Sequence, residues 1–167
     1  MMRKPSAPVL AAVTVAALIV FACVVQPSPI LVWNASASAP VGLYLVVPGA
    51  PMRGDLVLVR TPETVAMLAD ERGYLPAGVP LIKHIAAGPG NHVCARDDVI
   101  FIEGTAVARQ LSTDHTGRVL PRWDDCRVLA QGEFFLLNEA EDSFDSRYFG
   151  PVFASDIIER LAPLWTK

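Results

Sequence analysis

An uninterrupted apolar stretch from Pro8 to Val25 constrains the fold of this chain more than any other segment. Arg3 and Lys4 precede it, and the next basic residue is Arg53. The stretch is near the lower limit of the ~17–25 residues that cross a bilayer as a helix, and longer than the ~7–15 apolar residues of a cleavable signal. Because basic residues tend to stay on the cytoplasmic side of a membrane, the stretch predicts an anchor with an exported body behind it.

Two other interpretations of this region stay open. Ala35-Ser36-Ala37 has the form of a small-residue cleavage site, and cleavage there would release a mature protein that begins at Ser38. A second possibility is a lipoprotein box with an acylated Cys23. Bulky Phe21 and the apolar residues after Cys23 instead favour a thiol buried in the membrane. The predicted organisation is a cytoplasmic N-terminus at 1–7, a transmembrane helix at 8–25, a membrane-proximal linker at 26–35 and a folded body at 36–167.

The size and charge of the chain exclude some classes of protein. Its 167 residues allow one globular domain besides the apolar stretch. The formal net charge is -3, and the lysines and arginines are scattered along the sequence. A nucleic-acid-binding protein concentrates basic residues on one surface, so no nucleic-acid partner is expected. His84, His92 and His115 have no metal-ligand spacing with the cysteines, and neither a metal nor another cofactor is predicted.

Short apolar runs bounded by turn residues predict a mainly β body. The predicted strands are Leu43 to Val47, Leu56 to Val59, Ile82 to Ala87, Val99 to Ile102, Thr105 to Arg109 and Glu133 to Asn138. Thr61, Pro62 and Glu63 predict a short helix to about Glu71, with Thr61 as its cap. Because strands dominate, we expect an antiparallel β domain with one or two short helices.

Cys94 and Cys126 lie in the part of the chain that is expected to be exported. Two thiols in an oxidising compartment usually pair, so we expect a disulfide that closes a small segment at residues 92–131. In the loop-entropy account such a bond would contribute ~3–4 kcal/mol to stability. The alternative is two buried free thiols.

Lys83 is the residue whose surroundings point most clearly to chemistry. It is the only lysine between Lys4 and Lys167, and four apolar residues surround it: Leu81, Ile82, Ile85 and Ala86. Burial disfavours the ammonium form, so the neutral amine could act as a general base. A serine hydroxyl needs such a base, and the chain has no convincing Ser/His/Asp set. With Ser38 before Pro40, the sequence predicts a serine/lysine hydrolase; the alternative is a lysine at a strand edge with its amine in water.

Four blocks of sequence, in this order, resemble the membrane-bound type I signal peptidases. The likeness is greatest to their conjugative-transfer branch, the TraF-type pilin-maturation peptidases. The blocks are Ser38-Ala39-Pro40 with Gly42 and Tyr44, then residues 54–59, 83–90 and 143–150. The resemblance extends from Asn34 to about Trp165. His84 and Asn91 depart from it, because the family often has arginine and aspartate there.

The resemblance implies a role for several individual residues. Ser38 would be the nucleophile and Lys83 the general base. The hydroxyl of Ser36 would join the backbone N–H of Ser38 in an oxyanion hole, which stabilises charge that develops in the transition state. The implied supporting residues are Ser143, which orients the lysine, and the ion pair of Asp145 and Arg147.

The same resemblance implies a function and a location. The chain would be a serine endopeptidase of the bacterial inner membrane, with a cytoplasmic N-terminus and a periplasmic catalytic domain. Its substrate would be an exported precursor with small residues at the cleavage site, such as a conjugative pilin subunit, which some members close into a ring by aminolysis. Components of a conjugation or type IV secretion apparatus would be its partners. The alternatives are a housekeeping type I signal peptidase and a non-catalytic exported β domain of such an apparatus.

Overall fold

The computed structural model describes residues 7–24 and 29–167, which divide into two compact units between residues 30 and 31. The described part of the first unit contains α1 (Ala7–Val24), an 18-residue helix of largely apolar composition. Within the two described ranges, no helix reaches the length and hydropathy that a membrane crossing requires. Residues 1–6 of the predicted cytoplasmic segment, the last residue of the predicted anchor and residues 26–28 of the predicted linker lie outside the described residues.

The second unit is built from antiparallel strands. In chain order the strands are β1 (Leu31–Asn34), β2 (Gly42–Val47), β3 (Leu56–Val59), β4 (Leu81–Ala87), β5 (His92–Arg96), β6 (Val99–Ile102), β7 (Thr105–Arg109), β8 (Cys126–Val128), β9 (Glu133–Leu137), β10 (Val152–Phe153) and β11 (Ile157–Thr166). Seven form a sheet in the order β1-β2-β11-β3-β4-β9-β10, and four form a smaller sheet in the order β7-β6-β5-β8. The prediction of a mainly antiparallel β body is therefore confirmed.

Strand β9 contributes to two hydrophobic cores. All five of its residues are buried, and successive side chains of a strand point to opposite faces. Phe134 and Leu136 pack in a core with residues of β3 and β4. Phe135 and Leu137 pack in a second core with residues of β5 and β6. The two faces of this one strand thus connect the large sheet to the small one.

Besides one 3₁₀ turn at Ala154–Asp156, two α-helices accompany the sheets of the second unit. They are α2 (Glu63–Glu71) and the single turn α3 (Ser146–Phe149). The prediction that Thr61 caps α2 was wrong, because Pro62 occupies the N-cap position without a side-chain bond, and the Thr61 hydroxyl donates to the carbonyl of Val79 at 3.4 Å. At α3 the carboxylate of Asp145 accepts from the backbone N–H of Arg147 and caps the turn.

The folded body begins earlier than the sequence indicated. Residues 31–34 were predicted as linker, yet they form β1 and pair along their length with β2, with Trp33 opposite Leu43. The last strand, β11, was also not predicted. It lies between β2 and β3, and its Arg160 forms an ion pair with Asp55 at 2.8 Å.

The disulfide expected from the sequence is present. Cys94 on β5 and Cys126 on β8 are bonded and lie directly opposite each other in the antiparallel pair. The bond joins the two ends of the segment that contains β6, β7 and the long connection from β7 to β8.

Candidate active site

Ser36 and Ser38 lie in the loop between β1 and β2, which is held by one buried side chain. Asn34, the last residue of β1, is 5% exposed. Its Nδ2 donates to the carbonyls of Ser36, Ala39 and Pro40, each at 3.0 Å. Its Oδ1 accepts from the backbone N–H of Ser36 at 3.0 Å. An amide can donate and accept at once, so this one side chain fixes both ends of the loop.

The hydroxyls of the two serines are in contact. Their Oγ atoms are 2.9 Å apart, and either can be the donor. The side chain of Ser36 is exposed and that of Ser38 is half-buried. The predicted nucleophile and the predicted oxyanion-hole hydroxyl are thus adjacent, at the surface end of the site.

Lys83 enters the interior because of its register in β4. Leu81, Lys83, Ile85 and Ala87 are all buried, while His84 on the other face is exposed. The Lys83 side chain is only 2% exposed. Burial lowers the pKa of its amine from 10.5 to about 8, although the nearby carboxylate of Asp145 acts in the opposite direction. An amine with this pKa is neutral often enough near neutral pH to accept a proton.

Within residues 7–24 and 29–167, the lysine amine forms a hydrogen bond with one side chain. Its Nζ donates to Oγ of Ser143 at 2.6 Å, and this bond is buried. Ser143 is itself 2% exposed. The hydroxyl therefore restricts where the lysine head can lie.

Asn138, one residue beyond β9, holds the backbone on both sides of Lys83. Its Oδ1 accepts from the N–H of His84 at 3.2 Å, and its Nδ2 donates to the carbonyl of Ile82 at 3.0 Å. The backbone N–H of Asn138 donates to the carboxylate of Asp145 at 3.1 Å. A side chain thus continues the pairing of β9 with β4 at the point where the lysine projects.

Asp145 and Arg147 form a buried ion pair beneath this arrangement. Their side chains are 0% and 2% exposed, and the Nε to Oδ1 distance is 2.8 Å. The Arg147 guanidinium also donates to the carbonyls of Asn138 at 2.7 Å and Glu141 at 2.9 Å. Most of the polar atoms of the pair are therefore satisfied, as a buried ion pair requires.

A cavity of about 330 Å³ brings most of these side chains together. Ser36, Ser38, Lys83 and Ser143 all line it. Asp145 and Arg147 do not line it, but their charges act on the pKa of Lys83, and Asp145 accepts from the backbone of Asn138. The predicted nucleophile, base and lysine-orienting hydroxyl thus line the same cavity.

A second cavity, of about 370 Å³, lies on another side of the nucleophile loop. Ala37 and Ser38 line both cavities. The second one is also lined by His84, Asn138 and Glu139, which make it more polar. Ser38 therefore lies at the border of two recesses.

Sequence reasoning missed the two asparagines that hold this site. Asn34 and Asn138 are each buried at the end of a strand, and each bonds the backbone of a segment that carries a predicted catalytic residue. The available signal was a polar amide directly after an apolar run, next to a motif residue. That signal is weak, since the same pattern commonly marks an ordinary turn.

The chain is similar to known proteins over most of its length. A family model described as "Signal peptidase, peptidase S26" matches residues 4–165. The "Plasmid transfer protein TraF" of Escherichia coli is 33% identical over 145 residues, which cover 80% of this chain and 81% of that protein. The "Conjugal transfer protein TraF" of Agrobacterium tumefaciens strain 15955 is 38% identical over 144 residues, with the same shares of each chain.

A solved structure is also similar. A signal peptidase I from Enterococcus faecalis V583 aligns with a TM-score of 0.42 and 21% identity, over 68% of this chain and 98% of that one. The family assignment depends on the sequence matches, which span nearly the whole chain and exceed 30% identity over four fifths of it. The chain therefore belongs to the signal peptidase family, peptidase S26.

Proposed function

We propose that this protein is a serine endopeptidase in which Ser38 is the nucleophile and Lys83 the general base. The observation that carries the proposal is the burial of the Lys83 amine, 2% exposed, in the wall of the cavity that Ser38 also lines. A lysine that served only structure or solubility would keep its ammonium in water. Burial disfavours the charged form of the amine and so increases the fraction of neutral amine, which is the form that can act as a base.

The proposed reaction begins with transfer of a proton. The neutral amine of Lys83 takes the hydroxyl proton of Ser38, whose Oγ attacks the carbonyl carbon of the scissile peptide bond. The Ser36 hydroxyl and the Ser38 backbone N–H stabilise the negative charge on the carbonyl oxygen. Collapse of this intermediate breaks the C–N bond, and the Lys83 ammonium returns the proton to the leaving amine. Lys83 then activates a water molecule, which releases the acyl group from Ser38.

The supporting residues act through Lys83 and its strand. The Ser143 hydroxyl accepts a hydrogen bond from the Lys83 amine and so restricts the orientation of the amine. The ion pair of Asp145 and Arg147 holds Asn138, and Asn138 holds the backbone around the lysine. Their effect is to place a side chain with four rotatable bonds in one position.

The two cavities favour an endopeptidase over an exopeptidase. An endopeptidase must accommodate chain on both sides of the bond that it cuts, whereas an exopeptidase needs a closed end. Ser38 lines both cavities. An extended precursor could therefore occupy both recesses, with its scissile bond at Ser38.

The proposed substrate is an exported precursor with small residues at the cleavage site, in particular a pilin subunit of a conjugation system. The support comes from the names of the relatives, which are plasmid and conjugal transfer proteins. The proposed location is the bacterial inner membrane, with residues 8–25 as a single span and the catalytic domain in the periplasm. Arg3 and Lys4 before an apolar stretch support this orientation. An amine of the product could replace water in the last step and give a cyclic pilin.

The test is cleavage of a candidate pilin precursor by the purified protein. Ser38→Ala and Lys83→Ala should each abolish cleavage with the fold intact by circular dichroism. Lys83→Arg should fail too, because a guanidinium does not deprotonate, while a matched Lys4→Arg in the proposed cytoplasmic segment should cleave normally. Undiminished cleavage by Lys83→Arg would contradict the dyad. Mass spectrometry of the product distinguishes hydrolysis from ring closure by the mass of one water.

A further inference from the structure

The cavity beside Ser38 extends beyond the residues of the proposed reaction. Its far wall is formed by the connection between β7 and β8, residues 110–125, which contributes Leu111, Asp114, His115 and Leu120. Between β7 and β8 this connection has no strand of its own beyond a single bridge, from Thr113 to Val119. The wall therefore needs other contacts to keep its shape.

One set of contacts ties the connection to the segment after α2. The carboxylate of Asp114 accepts from the Tyr74 hydroxyl and from Nε of Arg118 at 2.7 Å. Arg118 in turn donates to the carbonyl of Arg72 at 3.0 Å, and its guanidinium carbon lies 5.4 Å from the centroid of the Tyr74 ring. Arg72 donates back to the carbonyl of Val119 at 2.7 Å. These bonds attach the connection to the segment after α2, and this segment also contributes Tyr74 to the lining of the cavity.

A second set of contacts ties the connection to α3. The side-chain amide of Gln110, 2% exposed, donates to the carbonyls of Trp123 and Arg147. The backbone N–H of Leu111 donates to the Tyr148 hydroxyl at 3.1 Å. The wall is therefore anchored at both ends, and one anchor is the helix that carries the buried arginine.

The cavity inside these walls is mostly apolar. Besides the serines and Lys83, most of the remaining lining comes from the apolar and aromatic side chains of Tyr74, Leu75, Leu81, Leu111, Leu120, Phe144 and Tyr148, and the polar part also includes Asp114, His115 and Asp142. At about 330 Å³ it has far more room than the methyl group of an alanine at the cleavage site would fill. Rigid apolar walls around unfilled space favour the binding of an apolar group of matching size.

We propose that Leu111 and Leu120 are specificity-determining residues, which form a subsite for one large apolar side chain of the precursor near its scissile bond. The proposal rests on the proposed function, because the cavity is continuous with Ser38 and Lys83. It commits to the precursor chain itself as the occupant. A single methylene in a pocket of this kind changes kcat/KM by about 10–200-fold, so leucine should be preferred to alanine at the subsite position by at least about tenfold.

The experiment uses short synthetic peptides with alanine at the cleavage site and polar residues elsewhere. Leucine is placed at one position at a time on either side of the scissile bond, and kcat/KM is compared with that of the all-alanine peptide. The full-length protein should show a preference of about tenfold or more at one position. Leu111→Trp and Leu120→Trp fill the subsite, so each should remove this preference while cleavage of the alanine peptide persists.

The matched control is Val119→Trp. Val119 lies next to Leu120 in the same connection, but its side chain is 72% exposed and it does not line the cavity. This variant should keep the full preference. If circular dichroism shows that Leu120→Trp does not fold, the test depends on Leu111→Trp, because Leu111 is only half-buried. Calorimetric binding of the same peptides to Ser38→Ala gives a readout that is independent of turnover, and leucine should again bind more tightly.

The outcomes separate this inference from the proposed function. Equal kcat/KM for all peptides in the wild-type protein would overturn the subsite and leave the peptidase standing. The subsite would also be overturned if both tryptophan variants lowered kcat/KM by the same factor for the leucine peptide and the all-alanine peptide. The preference for leucine would then not depend on Leu111 and Leu120. If the wild-type protein cleaved no peptide and no precursor, the proposed function and this inference would be wrong together.

Discussion

The amine of Lys83 donates to the hydroxyl of Ser143 at 2.6 Å, although the two residues are 60 positions apart in the sequence. Lys83 is held in the middle of β4, and Ser143 is held in the loop between β9 and α3. Asn138 and the ion pair of Asp145 with Arg147 connect these two places. The lysine head is therefore fixed by a rigid polar network and not by packing alone.

The first prediction concerns the dependence of activity on pH. Burial lowers the pKa of Lys83 from 10.5 to about 8, and the neutral amine is the active form. The fraction of neutral amine falls about tenfold for each pH unit below the pKa. We expect kcat/KM for a peptide to rise steeply up to about pH 8 and then to level off. A rate that is flat from about pH 6 upward would show that another group supplies the base.

The second prediction is that Lys83 makes the protein less stable. The unfolded chain keeps this proton up to pH 10.5 while the folded chain loses it at about 8, so the unfolded state binds more protons between these values. Stability of the wild-type protein should therefore rise with pH across that window. The difference corresponds to roughly 3 kcal/mol. Lys83→Met, a change to an unbranched apolar side chain, should be more stable than wild type at pH 7 by up to about that amount.

This second prediction is checked by urea unfolding at two pH values. The advantage of Lys83→Met should be present at pH 7 and should shrink toward pH 10. Ser38→Ala serves as the control, because it removes the proposed nucleophile without changing a buried charge. A methionine variant that is less stable than wild type at pH 7 would show that the buried amine does not destabilise the fold.

The third prediction compares two ion pairs of similar length. The pair of Asp145 with Arg147 is buried, while the pair of Asp98 with Arg109 joins side chains that are 38% and 67% exposed. Removing one partner of a buried pair leaves an uncompensated charge, which costs about 3–5 kcal/mol. Exposed pairs contribute about 0–1 kcal/mol. Asp145→Ala should thus lower the free energy of unfolding severalfold more than Asp98→Ala; similar losses for the two would contradict the prediction.

The fourth prediction concerns the disulfide. Alkylation of protein from the cell envelope should label Cys94 and Cys126 only after reduction, as read by mass spectrometry. Replacing both with alanine should lower the free energy of unfolding by roughly 3–4 kcal/mol, since the bond closes a loop with a sequence separation of 32. Labelling of both cysteines without a reductant would contradict the bond.

Local patterns predicted the parts of the fold that depend on neighbours in sequence. Leu56–Val59 was assigned with the right bounds, because four consecutive apolar residues between turn residues leave few other choices. β11 was missed because Glu159, Arg160 and Pro163 interrupt its apolar pattern. Arg160 is tolerated there because Asp55, more than a hundred residues earlier, neutralises it. Such a partner is visible only in the folded chain.

The candidate site was predictable to a similar extent. Lys83 was identified from its apolar neighbours, and the structure buries it as that pattern indicated. Ser38 was identified from its position before Pro40. Ser36, Ser143 and the pair of Asp145 with Arg147 came from the resemblance to a family, and the roles of all these residues stay proposals. Asn34 and Asn138 were not identified, because an asparagine reveals its function only through the backbone groups that it meets across the sheet.

The position of β11 in the large sheet has a consequence for the timing of the proposed activity. β1 and β2 flank the serine loop, and β4, which carries the lysine, pairs with β3. β11 is the strand that hydrogen-bonds to both β2 and β3. The ribosome makes β11 after all of these, so a nascent chain holds the two halves of the site without the strand that joins them. A peptidase built in this way would stay inert during its own synthesis, and would acquire its activity only when the last strand completes the sheet.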